Sequence, residues 1–200
     1  MRGQFIVLEG IDGSGTTTQA QRLAHRLQEK GREVVFTWEP STGPIGILLR
    51  QQLSTSPPMD KHALALLFAA DRVDHVQRTI LPALEAGKTV ISDRYILSSL
   101  AYQGLECGSP WVREINGMGK YYYPADLTFF LTIDPKVAQE RIRVRKGVVE
   151  RYDDLEIQER IAHAYERALE EHHGEGVVRL DATRSIEDLT EEMVRWVFGV

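Results

Sequence analysis

The run Gly10-Ile11-Asp12-Gly13-Ser14-Gly15-Thr16-Thr17 constrains this chain more than any other stretch. It follows the phosphate-loop spacing G-x-x-x-x-G-K-[ST] at every fixed position except the lysine, where Thr16 stands. Before it, Phe5-Ile6-Val7-Leu8 reads as a buried strand; after it, Thr18-Gln19-Ala20-Gln21-Arg22-Leu23 opens a helical pattern. A glycine-rich turn in that position aims several backbone N–H groups at one anion, at the positive end of the following helix. Gly10, Ile11, Asp12, Gly13, Ser14, Gly15, Thr16, Thr17 and Thr18 are therefore the expected cradle for the phosphates of a nucleotide. Thr17 takes the hydroxyl position that touches Mg²⁺. Asp12 reads either as a group that orients a substrate hydroxyl or a metal-bound water, or as a solvated turn aspartate. Thr16 is short and uncharged, so the lysine's charge has to come from elsewhere.

Strand-like runs alternate with helical patterns along the whole chain. Glu33 to Thr37, Thr89 to Ser92, Asp126 to Ile133 and Val177 to Leu180 read as four further strands. Helices are expected from the loop to about Lys30, closed by Gly31, and over Ile45 to Leu53. A long helix capped by Asp60 should run to about Ala86, with a kink at Pro82. Further helices fall at Ile96 to Gln103, Trp111 to Met118, from Pro135 to about Arg145, at Leu155 to His172, and after Ser185. This alternation predicts a single α/β domain over residues 1–200, a mainly parallel five-stranded sheet flanked by helices on both sides. Ligands of such folds bind beyond the C-terminal ends of the strands. The phosphate loop, Glu39-Pro40 and Asp93-Arg94 all fall there, which points to one site.

The formal net charge of −5 gives no bulk electrostatic reason to bind nucleic acid or a membrane surface. No apolar run approaches the ~18 residues of a membrane span, and Met1-Arg2-Gly3-Gln4 leads into the first strand without a leader pattern. Cys107 is the single cysteine, so no internal disulfide can form, and a cytoplasmic location is expected.

Three more constellations carry possible chemistry. Arg94, at a strand end, can grip a phosphate with its planar fork, and Asp93 stands where an acidic residue assists Mg²⁺; the pair also reads as a local ion pair. Ser98, Ser99 and Tyr102 follow near one helical face. Phe68 and Arg72, spaced i, i+4, suit a flat hydrogen-bonding base, although alone they read as a core ring beside a surface cation. The window from Arg141 to Arg151 holds five basic residues (Arg141, Arg143, Arg145, Lys146 and Arg151) and one acidic. Broken by Gly147, it reads as a flap that closes over a triphosphate or as a solvated helix face. The six histidines show no metal-ligand spacing and are expected at the surface.

Together and in this order, these constellations resemble the thymidylate kinase family over essentially the whole chain. The most specific part is Asp93-Arg94-Tyr95-x-x-Ser98-x-x-Ala101-Tyr102-Gln103. The resemblance implies a P-loop kinase with a small basic lid at about 143–153, using ATP and Mg²⁺ to convert dTMP to dTDP. It implies that Arg94 holds the dTMP phosphate, Phe68 stacks on thymine and Arg72 bonds a thymine carbonyl. Ser98, Ser99, Tyr102, Gln103, Glu39 and Pro40 complete the acceptor pocket, and Asp12 lies near sugar and phosphate. Tyr165 matches a position beside the deoxyribose, where a ring disfavours a 2′-hydroxyl. Gly13 together with Arg145, Lys146 and Arg151 resembles the bacterial-type arrangement, in which catalytic cations reside in the lid. A homodimer is expected from the family.

Two departures stand out: Thr16, and Glu39-Pro40-Ser41-Thr42-Gly43-Pro44 in place of Glu-Pro-Gly-Gly-Thr-Pro. They leave two rival readings, a regulator that binds nucleotide without turnover and a kinase for another small phosphate or hydroxyl acceptor.

Overall fold

The computed structural model describes residues 2–54, 57–117, 123–145, 154–171 and 176–199. Five strands, β1 (Phe5–Glu9), β2 (Val34–Trp38), β3 (Thr89–Asp93), β4 (Leu127–Thr132) and β5 (Val177–Asp181), form one sheet in the order β2-β3-β1-β4-β5. All four pairings are parallel, and Leu8 lies in register with Asp93. The central strands are buried on both faces, as their continuous apolar runs require. Alternation along β1 sends Ile6 and Leu8 to one core and Phe5 and Val7 to the other.

On the first face lie α1 (Thr16–Glu29) and α9 (Ile186–Phe198). The α1 stripe Ala20, Leu23, Ala24 and Leu27 repeats at helical spacing and packs with Leu189, Met193, Val194 and Val197 of α9. Gly15, in the left-handed region at φ 96°, precedes α1 and provides no side-chain cap. Glycine in place of a capping side chain costs only about a few tenths of a kcal/mol, whereas fully burying Leu23 and Leu27, both at 0% exposure, contributes roughly 1.5–3 kcal/mol each. Packing therefore holds the helix, and its first N–H groups stay open toward the loop.

The other face carries α5 (Ile96–Cys107), α6 (Ser109–Asn116), α7 (Pro135–Arg145) and α8 (Leu155–Glu171). The α8 stripe Ile161, Ala164, Tyr165, Ala168 and Leu169 packs with Leu97, Leu100 and Ala101 of α5, which carries the Tyr165 ring into the interior. Between β2 and β3 run α2 (Pro44–Leu53), α3 (Lys61–His75) and α4 (Leu81–Glu85). Asp60 caps α3 by accepting from the N–H groups of His62 and Ala63. The break expected at Pro82 appears one turn earlier, as a π-helical turn over Val76–Ile80 in which Leu81 N–H donates to Val76 O. Pro82 has no N–H and its ring crowds the preceding turn, so the ladder slips to a wider spacing before it.

Candidate active site

β1, β3 and β2 end on one edge of the sheet, and their last residues build the site. Thr17, on the first turn of α1, hydrogen-bonds through its hydroxyl to Asp93 Oδ2 at the end of β3. The other Asp93 oxygen is buried and has no hydrogen-bond partner among the described residues. A hydroxyl and a half-committed carboxylate side by side are hard oxygen donors of the kind Mg²⁺ takes alongside waters and phosphates. Beside the loop, a cavity of about 340 Å³ is lined by Gly13, Gly15, Thr18, Gln19, Arg141 and Arg184, among others. Arg141 donates to Ala182 O at 2.9 Å, and Arg184 pairs with Glu192.

Arg94 follows directly on β3 with a left-handed backbone, φ 74°. Its N–H donates to Leu8 O at 2.9 Å, which fixes that conformation against β1. Nη2 reaches Asp12 at 2.6 Å, and Nη1 faces Gly10 O, Ser98 Oγ and Tyr165 Oη at 3.1, 3.2 and 3.2 Å. The guanidinium lies 5.2 Å from the centre of the Tyr102 ring. Burial works against its charge, but Tyr102, Asp12 and Tyr165 outweigh that and raise its pKa well above the usual value. Arg94 is thus a fixed cation pointing at the phosphate loop.

Beneath it lies Glu9, the last residue of β1, at 0% exposure. It accepts from the N–H groups of Tyr95 and Ser98 and from the Ser98 hydroxyl, at 2.9, 3.2 and 2.6 Å. Tyr165 Oη is 3.2 Å away. Burial pushes the Glu9 carboxyl above the usual carboxylate range, against the Ser98 hydrogen bonds and the Arg94 charge. Burial and the neighbouring Glu9 also raise the Tyr165 hydroxyl well above its ordinary value.

A second buried network surrounds Arg72 on α3. Its Nε and Nη2 donate to Glu39 Oε2 at 2.9 and 2.6 Å, and Nη2 also faces Tyr95 O and Ser99 Oγ, both at 3.0 Å. Nη1 donates to Asn116 Oδ1, which leaves one Nη1 proton without a partner among the described residues. Burial opposes the Arg72 charge most strongly, yet Glu39 and Tyr95 leave its pKa raised. The expectation that every histidine lies at the surface is wrong for His75. It is 2% exposed, with Nδ1 3.2 Å from Glu39 Oε1 and Nε2 2.7 Å from Thr37 Oγ1. One turn after Arg72 on the same face, it is driven inward by Glu39, which bonds both side chains. Ser41, next in that loop, is tied to Asp71 through its N–H and hydroxyl at 2.7 and 2.6 Å.

The residues expected at the site therefore gather into two arginine networks and the loop. Thr17 meets Asp93; Arg94 meets Asp12, Ser98, Tyr102 and Tyr165; Arg72 meets Glu39 and Ser99. Phe68 is half-buried on α3, Pro40 half-buried in the β2 loop and Gln103 buried on α5. Among the described residues no hydrogen bond joins these three to either arginine. Lys146 and Arg151 lie outside the described residues, as does the lid from 146 to 153, and Arg145 is placed only as the last residue of α7. Glu9, Asn116, Asp71 and His75 were missed by motif reading. Glu9 alone left a visible signal, an acidic residue ending an apolar strand directly before the loop.

A phosphate cradle at a helix N-terminus, a Mg²⁺-compatible pair and a fixed arginine facing the cradle define a P-loop α/β protein built around two phosphate-bearing ligands. The family model described as thymidylate kinase matches residues 8–193. A probable thymidylate kinase of Pyrococcus horikoshii is 42% identical, covering 98% of this chain and 97% of its own length. A thymidylate kinase of Exiguobacterium sp. is 36% identical over 97% and 93% of the two chains. Another, from Caldicellulosiruptor saccharolyticus, is 42% identical over 72% and 71%. The chain belongs to the thymidylate kinase family.

Proposed function

We propose that this protein transfers the γ-phosphoryl group of ATP to dTMP, giving dTDP and ADP. The observation that carries the reading is the opposition of two anion sites. Arg94 Nη1 lies 3.1 Å from Gly10 O, so a phosphate gripped by this fork faces one held by the loop. The acceptor oxygen of dTMP is already anionic at neutral pH, so it attacks phosphorus without a strong base. Catalysis then reduces to alignment and charge neutralisation.

Each group has a place in that scheme. The N–H groups from Gly13 to Thr18 cradle the donor phosphates, and the adjoining cavity takes the rest of the donor. Thr17 and, through water, Asp93 would hold Mg²⁺, which would neutralise charge on those phosphates. The acceptor phosphate displaces Asp12 from part of the Arg94 fork, leaving Asp12 near the sugar. Tyr165, fully buried against the Phe130 and Tyr102 rings at centroid distances of 5.3 and 6.1 Å, backs the deoxyribose side of the pocket from behind, through its hydroxyl contacts to Arg94 and Ser98. The Arg72 Nη1 proton that has no partner among the described residues suits a thymine carbonyl, with Phe68 half-exposed one turn away. Ser99, Gln103 and the Glu39-Pro40 loop close the pocket.

Arg145, Lys146 and Arg151, in a lid over about 143–153, supply the cation that Thr16 lacks. The enzyme works as a cytoplasmic homodimer, which sedimentation and cell fractionation test.

Family membership over nearly the full length supports the kinase over both a nucleotide-binding regulator and a kinase for another acceptor. The decisive experiment is steady-state turnover with ATP and Mg²⁺ against dTMP, dUMP and GMP. Fastest turnover of dTMP is expected; binding of both nucleotides without dTDP formation refutes the proposal.

A further inference from the structure

An anion directly beneath a phosphate grip repels the ligand the grip is meant to hold, so Glu9 needs an explanation. Its two oxygens do different things. Oε1 accepts from the N–H groups of Tyr95 and Ser98, in the first turn of α5, at 2.9 and 3.2 Å. Oε2 accepts from Ser98 Oγ at 2.6 Å and lies 3.2 Å from Tyr165 Oη. The two hydroxyls are 2.8 Å apart, and each is 3.2 Å from Arg94 Nη1.

Counting protons gives the cluster a direction. A carboxylate carries none, so Ser98 donates to Glu9, and Tyr165 donates to Glu9 or to the Ser98 oxygen. Both hydroxyls then turn lone pairs toward Nη1, beside the Gly10 carbonyl at 3.1 Å. With a neutral amide in place of the carboxylate, a side-chain N–H points at these oxygens. At least one hydroxyl proton must then turn elsewhere, and the acceptors around Arg94 weaken. Among the described residues only Glu9 hydrogen-bonds Ser98, Tyr165 and the start of α5 together, and Arg94 lies just before that start.

We propose that Glu9 is a positioning residue for phosphoryl transfer: its charge polarises Ser98 and Tyr165 into acceptors that hold the Arg94 fork in place for the incoming monophosphate. This rests on the kinase reading of the site. A plain helix cap at the same place would support all ligands of the pocket alike, whereas a device aimed at Arg94 matters only to ligands that carry a phosphate.

The test compares binding of dTMP with binding of thymidine, by calorimetry, in wild type and Glu9→Gln. Glutamine keeps an oxygen for the two backbone N–H groups and loses the charge. Affinity for dTMP should fall about tenfold, equivalent to about 1.4 kcal/mol, while thymidine affinity changes less than about twofold. Ser98→Ala, which removes the relaying hydroxyl but leaves Glu9 on the α5 N–H groups, should give the same selective loss and carries the test if Glu9→Gln does not fold. Equal losses for both ligands, or no loss for either, overturn the proposal. Wild type that binds dTMP but forms no dTDP refutes the kinase reading itself, a result separate from either.

Discussion

Replacing Arg72 by leucine removes the cation at the centre of the base-side network, and the structure sets the size of the loss. Arg72 is 4% exposed, Glu39 7% and His75 2%. Leucine leaves Glu39 Oε2, Tyr95 O, Ser99 Oγ and Asn116 Oδ1 without the donors they now have. Breaking a buried ion pair from one side costs roughly 3–5 kcal/mol, because the partner charge stays buried. For a chain of this size, that lowers the melting temperature by roughly 6–20 °C. His75, 3.2 Å from the other Glu39 oxygen, moderates the loss. Urea unfolding of wild type, Arg72→Leu, Glu39→Gln and the double variant closes a thermodynamic cycle. The double variant should be less destabilised than the two single losses summed, by about 1–3 kcal/mol. A loss below about 1 kcal/mol for Arg72→Leu, the range of exposed pairs, means that water reaches the pair and refutes the reasoning.

Three other expectations are checked by simpler measurements. Alanine at Arg145, Lys146 and Arg151, one at a time, should lower kcat far more than dTMP affinity for at least one of the three; unchanged turnover in all three refutes charge supply from the lid. Asp93→Asn should raise the Mg²⁺ concentration for half-maximal turnover by about tenfold or more, and an unchanged Mg²⁺ titration removes Asp93 from the metal site. Burial holds the folded Glu9 pKa above its unfolded value, which is about 4.3. The stability this contributes is therefore complete below about pH 4.3 and is lost as pH rises through the folded pKa. The urea midpoint of wild type should fall relative to that of Glu9→Gln as pH rises from 4, and a gap that stays constant or moves the other way contradicts the burial argument.

The architecture was legible because apolar periodicity and punctuation agree along the chain. Gly31, Asp60 and Ser185 close or open helices where expected, and β2 shifts only from Glu33–Thr37 to Val34–Trp38. Strand order was not legible, since five parallel strands can be threaded in several orders and only packing selects β2-β3-β1-β4-β5. Within the site, residues sharing a short motif were found and residues paired across the fold were not. Asp93 and Arg94 announce themselves as neighbours at a strand end. Glu9 and Tyr165 meet across 156 positions and His75 and Glu39 across 36, and nothing local in either segment marks the partner. His75 misled in particular because a histidine on a mixed helix face is ordinarily solvated. Its burial comes from a carboxylate on another element.

The charge missing at Thr16 has few places from which to come, and one helix bears on two of them. Gly13 adopts φ 83°, and a side chain there would run into the Ala138 carbonyl in the first turn of α7. Arginine is thus shut out of position 13 unless α7 moves. Thr16 itself is 5% exposed and offers only a hydroxyl. The described arginines near the loop are already committed: Arg141 to Ala182 O, Arg184 to Glu192 and Arg94 to Asp12. A cation within about 4 Å of a phosphate is worth about 4 kcal/mol at an effective dielectric of 20, too much for phosphoryl transfer to forgo. α7 ends at Arg145, where the basic segment begins. The helix whose first turn denies a side chain to position 13 therefore delivers, at its last turn, the segment proposed to make up the charge. Thr16 and Gly13 are two sides of the arrangement proposed above, in which Arg145, Lys146 and Arg151 take over neutralisation from the loop.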